Sequence, residues 1–433
     1  MLKETINTLL LVNAFERKNE NVPSRNLKNY YISYNLFQLS QGLIGVFLSL
    51  FFFVNGGYLA VLEFQAANYI LIGLSFALSG YVLQDYHPKQ VYAIAEISIV
   101  VLLTSMLFLV GYLSNVILFG ILFGAVSGFF WAGNNILMYA IPQKSERMKF
   151  VTLNSIIGGI IALAAPTMGG ILIQLSNFTG NLRFALDFLA ASLFLLVSSS
   201  YILRTSNMAG KKPRFSIIET LIQKGKDYFH FKLYFFTSQF FFTAFSIIMP
   251  IYVFEITSSF VIAGIFVSYT TFLSIATNFI LRKGFRASSR LIEAAIIGII
   301  LSSLLLLPGV IASPANVFVF GGIFTVLSTP LENAALVEFM RHLDGKSMQK
   351  VVALWINREY YLMAGRAVVI GALFLALDTI LKNPLNILIV FPVLALYSLS
   401  YYKIIKKKSL VPALFLTMRG WKWNLLTTLY KLR

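Results

Sequence analysis

Long apolar blocks are the feature that most limits what this chain can fold into. Stretches of about twenty apolar residues alternate with short polar connections, and that length lets an α-helix cross a hydrocarbon layer of about 30 Å. Of the 433 residues, 58% are hydrophobic and 12% are charged, about half the charged share of a soluble domain. These features exclude an ordinary soluble enzyme and predict an all-α membrane protein.

Twelve blocks are predicted to be transmembrane spans. They begin near Ile32, Ala66, Val91, Val116, Val151, Phe184, Leu233, Phe260, Leu291, Val317, Val351 and Leu385. The longest break, residues 204–232, is predicted to be a linker with an amphipathic helix, and it separates two six-helix bundles at 32–203 and 233–404. Residues 1–31 form an N-terminal segment, and the basic amphipathic tail at 405–433 suits a membrane surface.

The basic residues predict the orientation of the spans. Of the 35 Lys and Arg residues, 31 fall in the connections and termini on one side of the membrane, which predicts that both termini are cytoplasmic. This topology accounts for the net charge of +18 without nucleic acid, since no connection is long enough to fold into a basic groove. Short loops are typical of a bacterial inner (plasma) membrane, although a sequon at Asn177 leaves a eukaryotic membrane open.

Cofactor chemistry is not expected. The chain has no cysteine and three isolated histidines, so disulfides, thiolate chemistry and a metal centre are not predicted. A membrane-embedded transferase acting on lipid-linked substrates would need clustered acidic residues or a sizeable loop domain. Because neither feature is present in the sequence, we predict that the protein is not an enzyme.

Two six-span halves joined by a basic linker resemble the major facilitator superfamily of secondary transporters. Three segments are similar to its first loop signature, to its short inner loop after the fourth span and to its antiporter ending. Their residues are expected to form a conformational gate: Asp85, Lys89, Arg147, Pro166, Gly169 and Gly170. The resemblance implies two bundles that rock about a central cavity. It also implies that the first, fourth, seventh and tenth spans line that cavity.

Polar residues inside spans are costly in hydrocarbon, so each is a candidate functional residue. The candidates for substrate binding are amides and a tryptophan on the cavity-lining spans, with one arginine: Gln38, Gln41, Trp131, Asn134, Asn135, Gln239, Asn333 and Arg358. Amides also hold helices together by hydrogen bonds, at about 1 kcal/mol or less each. That structural role is the alternative at every amide position.

Charged residues form the second set of candidates. Counting residues along each span from its inner end places Arg358 and Glu332 at a similar depth in two different spans. Glu359 and Arg366 share one helical face. Glu96 lies within the third span. An arginine that neutralises an anionic substrate beside a carboxylate that binds a proton would couple transport to protons. The alternative is a structural ion-pair network, or for Glu96 a hydrogen bond between helices.

The sequence therefore predicts a monomeric, proton-coupled secondary transporter of a small organic or amphiphilic solute. The antiporter-like segment ending at Gly170 favours export. A lipid or lyso-lipid flippase of the same fold is the first alternative, with the arginines contacting the headgroup. A membrane receptor without transport activity, or the transferase considered above, is the second.

Overall fold

The computed structural model describes residues 25–109, 115–142, 147–176, 178–206, 226–284 and 348–382, with short pieces at 318–319, 321–323, 325–326 and 339. Eight α-helices lie in this part of the chain: α1 Arg25–Asp85, α2 Pro88–Leu109, α3 Asn115–Ala140, α4 Arg147–Leu175, α5 Ala185–Leu203, α6 Lys226–Thr257, α7 Phe260–Gly284 and α8 Met348–Lys382. A 3-10 helix, Gly180–Phe184, leads into α5.

Helix α1 contains two membrane spans. Its 61 residues would measure about 90 Å if straight, roughly three times the hydrocarbon thickness. Gly57, with φ +66°, breaks it into a first limb (25–56) and a second limb (58–85), since glycine adopts positive φ at little cost. The sequence predicted that the second span begins near Ala66. Because a single glycine is enough to reverse the chain direction, the second limb begins eight residues before Ala66.

Helices α1 to α7 are each long and apolar enough to cross a membrane. Counting both limbs of α1, the helices from α1 to α5 provide six spans before the linker, and we call them the first half. Helices α6, α7 and α8 belong to the second half. The blocks predicted from Leu291 and Leu385, most of the block from Val317, residues 207–225 of the linker and the tail from 405 lie outside the described residues.

Most polar residues of α5 are on its inner face. Leu189 and Leu193 are exposed on the outside of the structure, whereas Asp187, Ser198 and Ser199 are buried between helices. This arrangement is the reverse of a soluble helix, and it fits a helix whose outer face contacts lipid. The buried polar residues of α5 are therefore placed to contact neighbouring helices.

Small residues let α3 pack directly against the second limb of α1. Gly120, Gly124 and Gly128 recur every four residues on one face of α3, and a Cβ atom at Gly124 would lie 2.3 Å from the Asn68 carbonyl oxygen. This is the small-x-x-x-small spacing of close helix pairs in membranes. It holds two spans of the first half at backbone contact.

Two seams join the halves. In the first seam, between α4 and α7, the hydroxyls of Thr167 and Ser268 are 2.8 Å apart. In the second seam, between the second limb of α1 and α8, Gly73 packs against Met363. We call the face with Asp85 the linker side and the face with Gly57 the far side.

Candidate functional site

The seam between α1 and α8 contains a charged group that we call the Arg366 cluster: Arg366, Glu359, Gln239 and Tyr69. Arg366 Nη1 lies 3.0 Å from Glu359 Oε1, and Arg366 Nε donates a 3.0 Å hydrogen bond to Gln239 Oε1. The guanidinium carbon lies 5.1 Å from the centroid of the Tyr69 ring. One arginine thus connects α8 to α6 and to the second limb of α1.

The cluster lies near the middle of each helix that contributes to it. Arg366 is 18 residues after the start of α8 and 16 before its end, about 27 and 24 Å along the axis. Tyr69 is 12 residues after Gly57 and 16 before Asp85. Secondary transporters bind substrates at this depth, at the interface between their repeats.

A glycine brings α6 and α8 close enough for the Arg366 contacts. A Cβ atom at Gly365 would lie 2.3 Å from the Phe236 carbonyl oxygen and 2.9 Å from Gln239 Cβ. Because the helix backbones touch here, the amide of Gln239 reaches the guanidinium of the residue that follows Gly365. A larger residue at 365 would separate them.

A second arginine approaches the same carboxylate. Arg358 Nη1 lies 4.0 Å from Glu359 Oε2, and its guanidinium carbon is 5.2 Å from the ring centroids of both Phe235 and Trp355. Glu359 is buried, at 8% exposure. Two guanidinium groups thus approach one carboxylate, and guanidinium donors are the groups that fit the oxygens of a carboxylate or phosphate.

The predicted pairing of Glu359 with Arg366 is present in the structure. Arg358, predicted to pair with Glu332, contacts Glu359 and two aromatic rings. Glu332 and Asn333 lie outside the described residues, so that predicted pair and the Asn333 site stay predictions.

Two predicted substrate amides, Gln38 and Asn134, meet inside the first half. Both lie near the hydroxyl of Tyr34, and Asn134 Oδ1 accepts a 2.9 Å hydrogen bond from the Tyr30 hydroxyl. Asn134 is 1% exposed. Its side chain holds α1 to α3, which is the structural alternative that the sequence left open for amides.

The other predicted binding residues are more accessible. Trp131 is 38% exposed and packs edge-on against Phe37, with ring centroids 5.8 Å apart. Gln41 and Asn135 are half-buried. Of the predicted set, only Gln239 and Arg358 lie with the described charged residues of the second half.

The predicted gate residues divide between two places. On the linker side, Asp85 is exposed and Lys89 Nζ donates a 2.6 Å hydrogen bond to the Thr205 carbonyl oxygen just beyond α5. Such a lysine satisfies a carbonyl left without a partner at a helix end. The side chain of Arg147 lies outside the described residues.

The antiporter-like segment lies on the seam between α4 and α7. A Cβ atom at Gly170 would lie 2.6 Å from the Phe260 carbonyl oxygen, and one at Gly264 would lie 2.3 Å from the Pro166 carbonyl oxygen. Gly169 instead faces Phe47 of α1. Backbone contact along this seam depends on these small residues.

Glu96 is enclosed within the first half. It is 0% exposed, and its two carboxyl oxygens lie 2.6 and 2.9 Å from the hydroxyls of Ser198 and Ser199. The carboxyl group therefore connects α2 to α5. This contact is the hydrogen bond between helices that the sequence offered as one role for Glu96.

One contact between the halves had no signal in the sequence. The Tyr58 hydroxyl donates a 2.5 Å hydrogen bond to Glu255 Oε2. Nearby, Phe53 packs against Tyr58 and Phe254, with ring centroids 4.9 and 6.3 Å apart. We call the hydrogen bond between Tyr58 and Glu255 the far-side clasp. Its two residues are 197 positions apart, so only the fold brings them together.

Comparisons with known proteins give structural neighbours. No family model matches the chain, and no curated protein matches its sequence. A crystal structure of a bacterial homologue of the iron transporter ferroportin in an inward-facing state is similar, with a TM-score of 0.63, 13% identity and coverage of 88% of this chain and 98% of that one. The crystal structure of a mutant of the nucleoside transporter NupG has a TM-score of 0.62, 14% identity and coverage of 88% of this chain and 100% of that one.

Proposed function

We propose that this chain, whose fold is that of the major facilitator superfamily, is a secondary transporter that moves a small organic anion by alternating access. Both similar structures are transporters, which supports membrane transport over the transferase alternative. The single observation that carries the choice of an anion is the Arg366 cluster at mid-depth on a seam between the halves. Its guanidinium group, with that of Arg358 nearby, is the chemistry that a carboxylate or phosphate would recognise.

The cluster suggests how substrate would bind. A guanidinium presents parallel N–H donors that fit two oxygens of a carboxylate or phosphate. An incoming anion would take over the contact that Arg366 makes with Glu359, while Arg358 and Gln239 provide further donors. Since Arg366 contacts the second limb of α1 and α6, its change of partner alters contacts on both sides of the seam.

The seams suggest how the halves would move. Backbones touch at Gly264 and Gly170, so few large side chains interlock along the contact between α4 and α7. The far-side clasp and the Phe53 contacts hold one face together in the present conformation. Rocking would break these contacts and expose the Arg366 cluster to the far side.

The direction of transport and its driving force are part of the proposal. Export, in exchange for protons, is supported by the antiporter-like residues Pro166 and Gly170 on the seam. Cytoplasmic termini are proposed from the distribution of Lys and Arg.

A ligand screen tests the proposed anion site. Purified protein is heated with organic phosphates and carboxylates, with sugars and polyols, and with cationic amphiphiles. A compound at 100 times its Kd adds about 2.7 kcal/mol of apparent stability. We expect stabilisation by a member of the anion panel, lost in Arg366→Gln and retained in Lys350→Gln, which removes an exposed positive charge from the same helix.

Two outcomes would contradict this site. One is stabilisation confined to sugars or cations. The other is an anion whose effect survives in Arg366→Gln. Exchange of the radiolabelled hit across proteoliposomes then separates a transporter from a receptor, because a receptor binds the compound without moving it.

A further inference from the structure

We infer that Glu96 is a proton-binding site built into the first half, and that its protonation controls whether the first limb of α1 stays joined to α2 and α5. In the proposed transporter, Glu96 would then be the group that couples proton binding to transport. Glu359 would serve as the counter-ion of Arg358 and Arg366. The inference rests on the proposed function for that coupling role only. The proton site itself follows from the contacts of Glu96.

Glu96 belongs to a buried chain of oxygen atoms from three helices. Ser198 Oγ lies 2.6 Å from Glu96 Oε1, 2.8 Å from the Ser33 carbonyl oxygen and 2.8 Å from Ser33 Oγ. Ser33 Oγ lies 3.3 Å from the Tyr92 hydroxyl. Ser199 Oγ lies 2.9 Å from Glu96 Oε2. Ser33 is on α1, Glu96 and Tyr92 on α2, and the other two serines on α5.

The charge state of Glu96 decides how Ser198 contacts α1. A serine hydroxyl has one hydrogen, and Ser198 Oγ lies near two acceptors, Glu96 Oε1 and the Ser33 carbonyl oxygen. An ionised Glu96 takes that hydrogen and also has Ser199 and the nearby Tyr92 as donors. The Ser33 carbonyl oxygen then loses its hydrogen bond from Ser198, and the first limb of α1 keeps only the contacts of the Ser33 hydroxyl with this network.

One added proton restores the hydrogen bond from Ser198 to α1. A proton on Glu96 Oε1 makes the carboxyl group a donor to Ser198 Oγ, and the Ser198 hydrogen is then free for the Ser33 carbonyl oxygen. The 2.6 Å separation is typical of a short O–H···O bond. The network then connects all three helices without a charge, although every member is fully or nearly fully buried.

The titratable groups around Glu96 do not supply a positive charge to the network. Tyr92 is on its own helix, and Tyr30 of α1 packs near Tyr92. Lys89, seven residues before Glu96 and about 10 Å along α2, has its Nζ at the Thr205 carbonyl oxygen. On α5, Asp187 is eleven residues before Ser198, and Arg204 lies over the Tyr201 ring.

The position of Ser33 connects the proton to movement. Ser33 is on the first limb of α1, which also carries Gln38 and leads to Gly57 and the far-side clasp. Loss of the proton would leave a buried carboxylate, and an unhydrated charge in a membrane interior costs several kcal/mol. Water that reaches the carboxylate would lower this cost. Separation of α1 from α5 would admit that water, so the ionised form favours an altered position of α1.

Infrared spectroscopy tests the proton directly, with no substrate required. Wild-type protein in detergent at neutral pH is expected to show a protonated carboxyl C=O band that disappears in Glu96→Gln. Glu63→Gln, which removes a half-buried carboxyl group from the second limb of α1, is expected to retain the band. A band unchanged by Glu96→Gln would overturn the proton site. So would failure of Glu96→Gln to fold, because an uncharged amide replaces an uncharged acid.

The chain's lack of cysteine provides a test of the coupling. Spin labels at Thr179→Cys and Ile256→Cys, exposed far-side positions in the two halves, report the separation of the halves by pulsed electron resonance. We expect the distance distribution to change as pH rises and to stay constant in Glu96→Gln. A pH response that persists in Glu96→Gln overturns the coupling role. Distances that never change under any condition instead contradict alternating access, while the infrared result stands.

Discussion

Tyr58 and Glu255 are 197 residues apart in the chain and share a 2.5 Å hydrogen bond that joins the two halves on the far side. Tyr58 directly follows the glycine that reverses α1, and Glu255 lies two residues before the end of α6. The guanidinium of Arg183 also lies over the Phe260 ring, 5.9 Å from its centroid. This face of the protein is therefore held by polar, aromatic and cation–π contacts between the halves.

Tyr58→Phe removes the clasp and keeps the ring. A hydrogen bond to a carboxylate at an exposed position contributes about 1 kcal/mol, or about a fivefold change in a two-state equilibrium. We expect spin labels at positions 179 and 256 to show a larger population of long distances in Tyr58→Phe. Tyr86→Phe, which removes the hydroxyl of an exposed tyrosine on the linker side, is the control. Unchanged distances in Tyr58→Phe would show that the clasp does not hold the halves.

The Arg366 pair predicts strong non-additivity in stability. Glu359→Gln or Arg366→Gln alone leaves a partly buried charge without its partner, and each should cost about 3 kcal/mol. The double variant should recover much of that loss, because neither charge remains. Thermal unfolding in detergent measures all four proteins. Additive losses of stability would mean that the two residues do not stabilise each other. In the same set of variants, we expect anion binding to be absent from each one that lacks Arg366.

The glycines of α3 predict where a single methyl group is not tolerated. In Gly124→Ala the new Cβ would lie 2.3 Å from the Asn68 carbonyl oxygen, so α3 and α1 must move apart, at about 1 to 3 kcal/mol. Gly45→Ala adds the same methyl group to α1 where no atom lies within 4 Å. We expect a lower melting temperature for Gly124→Ala and no loss for Gly45→Ala. Equal melting temperatures would contradict the close packing.

The seam between α4 and α7 gives the corresponding prediction for conformation. Gly264→Ala places a Cβ atom 2.3 Å from the Pro166 carbonyl oxygen, whereas Gly371→Ala, on α8, meets nothing within 4 Å. Because Gly264 separates two halves that must move, the spin-label distances should change in Gly264→Ala and not in Gly371→Ala. Identical distances in both variants would remove this seam from the moving interface.

The sequence predicted what depends on local pattern. Hydrophobic block length located the spans of the first half, and a seven-residue spacing placed Glu359 and Arg366 on one face of α8, where they pair. The start of the second span was predicted too late, near Ala66, because the apolar pattern does not reveal that one positive-φ glycine, Gly57, can replace a loop. The glycine repeat of α3 was visible in the sequence and could have predicted its contact with α1.

Contacts between distant segments could not be predicted from one sequence. Nothing in the sequence near Tyr69 or Gln239 specifies that both reach Arg366, because those contacts depend on how α1, α6 and α8 cross. The same holds for the serines of α5 around Glu96, which are ordinary residues in an apolar helix until α2 packs against them. Amide side chains such as Asn134 were ambiguous, since structural and binding roles use the same chemistry.

The most direct test of alternating access uses the far-side clasp. Tyr58→Cys and Glu255→Cys are introduced together and joined by a reducible bifunctional thiol reagent, since a hydrogen bond between two long side chains does not imply the short Cα separation that a disulfide needs. Flux of the anion identified in the screen is then measured in proteoliposomes before and after reduction. We predict that cross-linking stops flux and that reduction restores it. Undiminished flux through fully cross-linked protein would contradict the account.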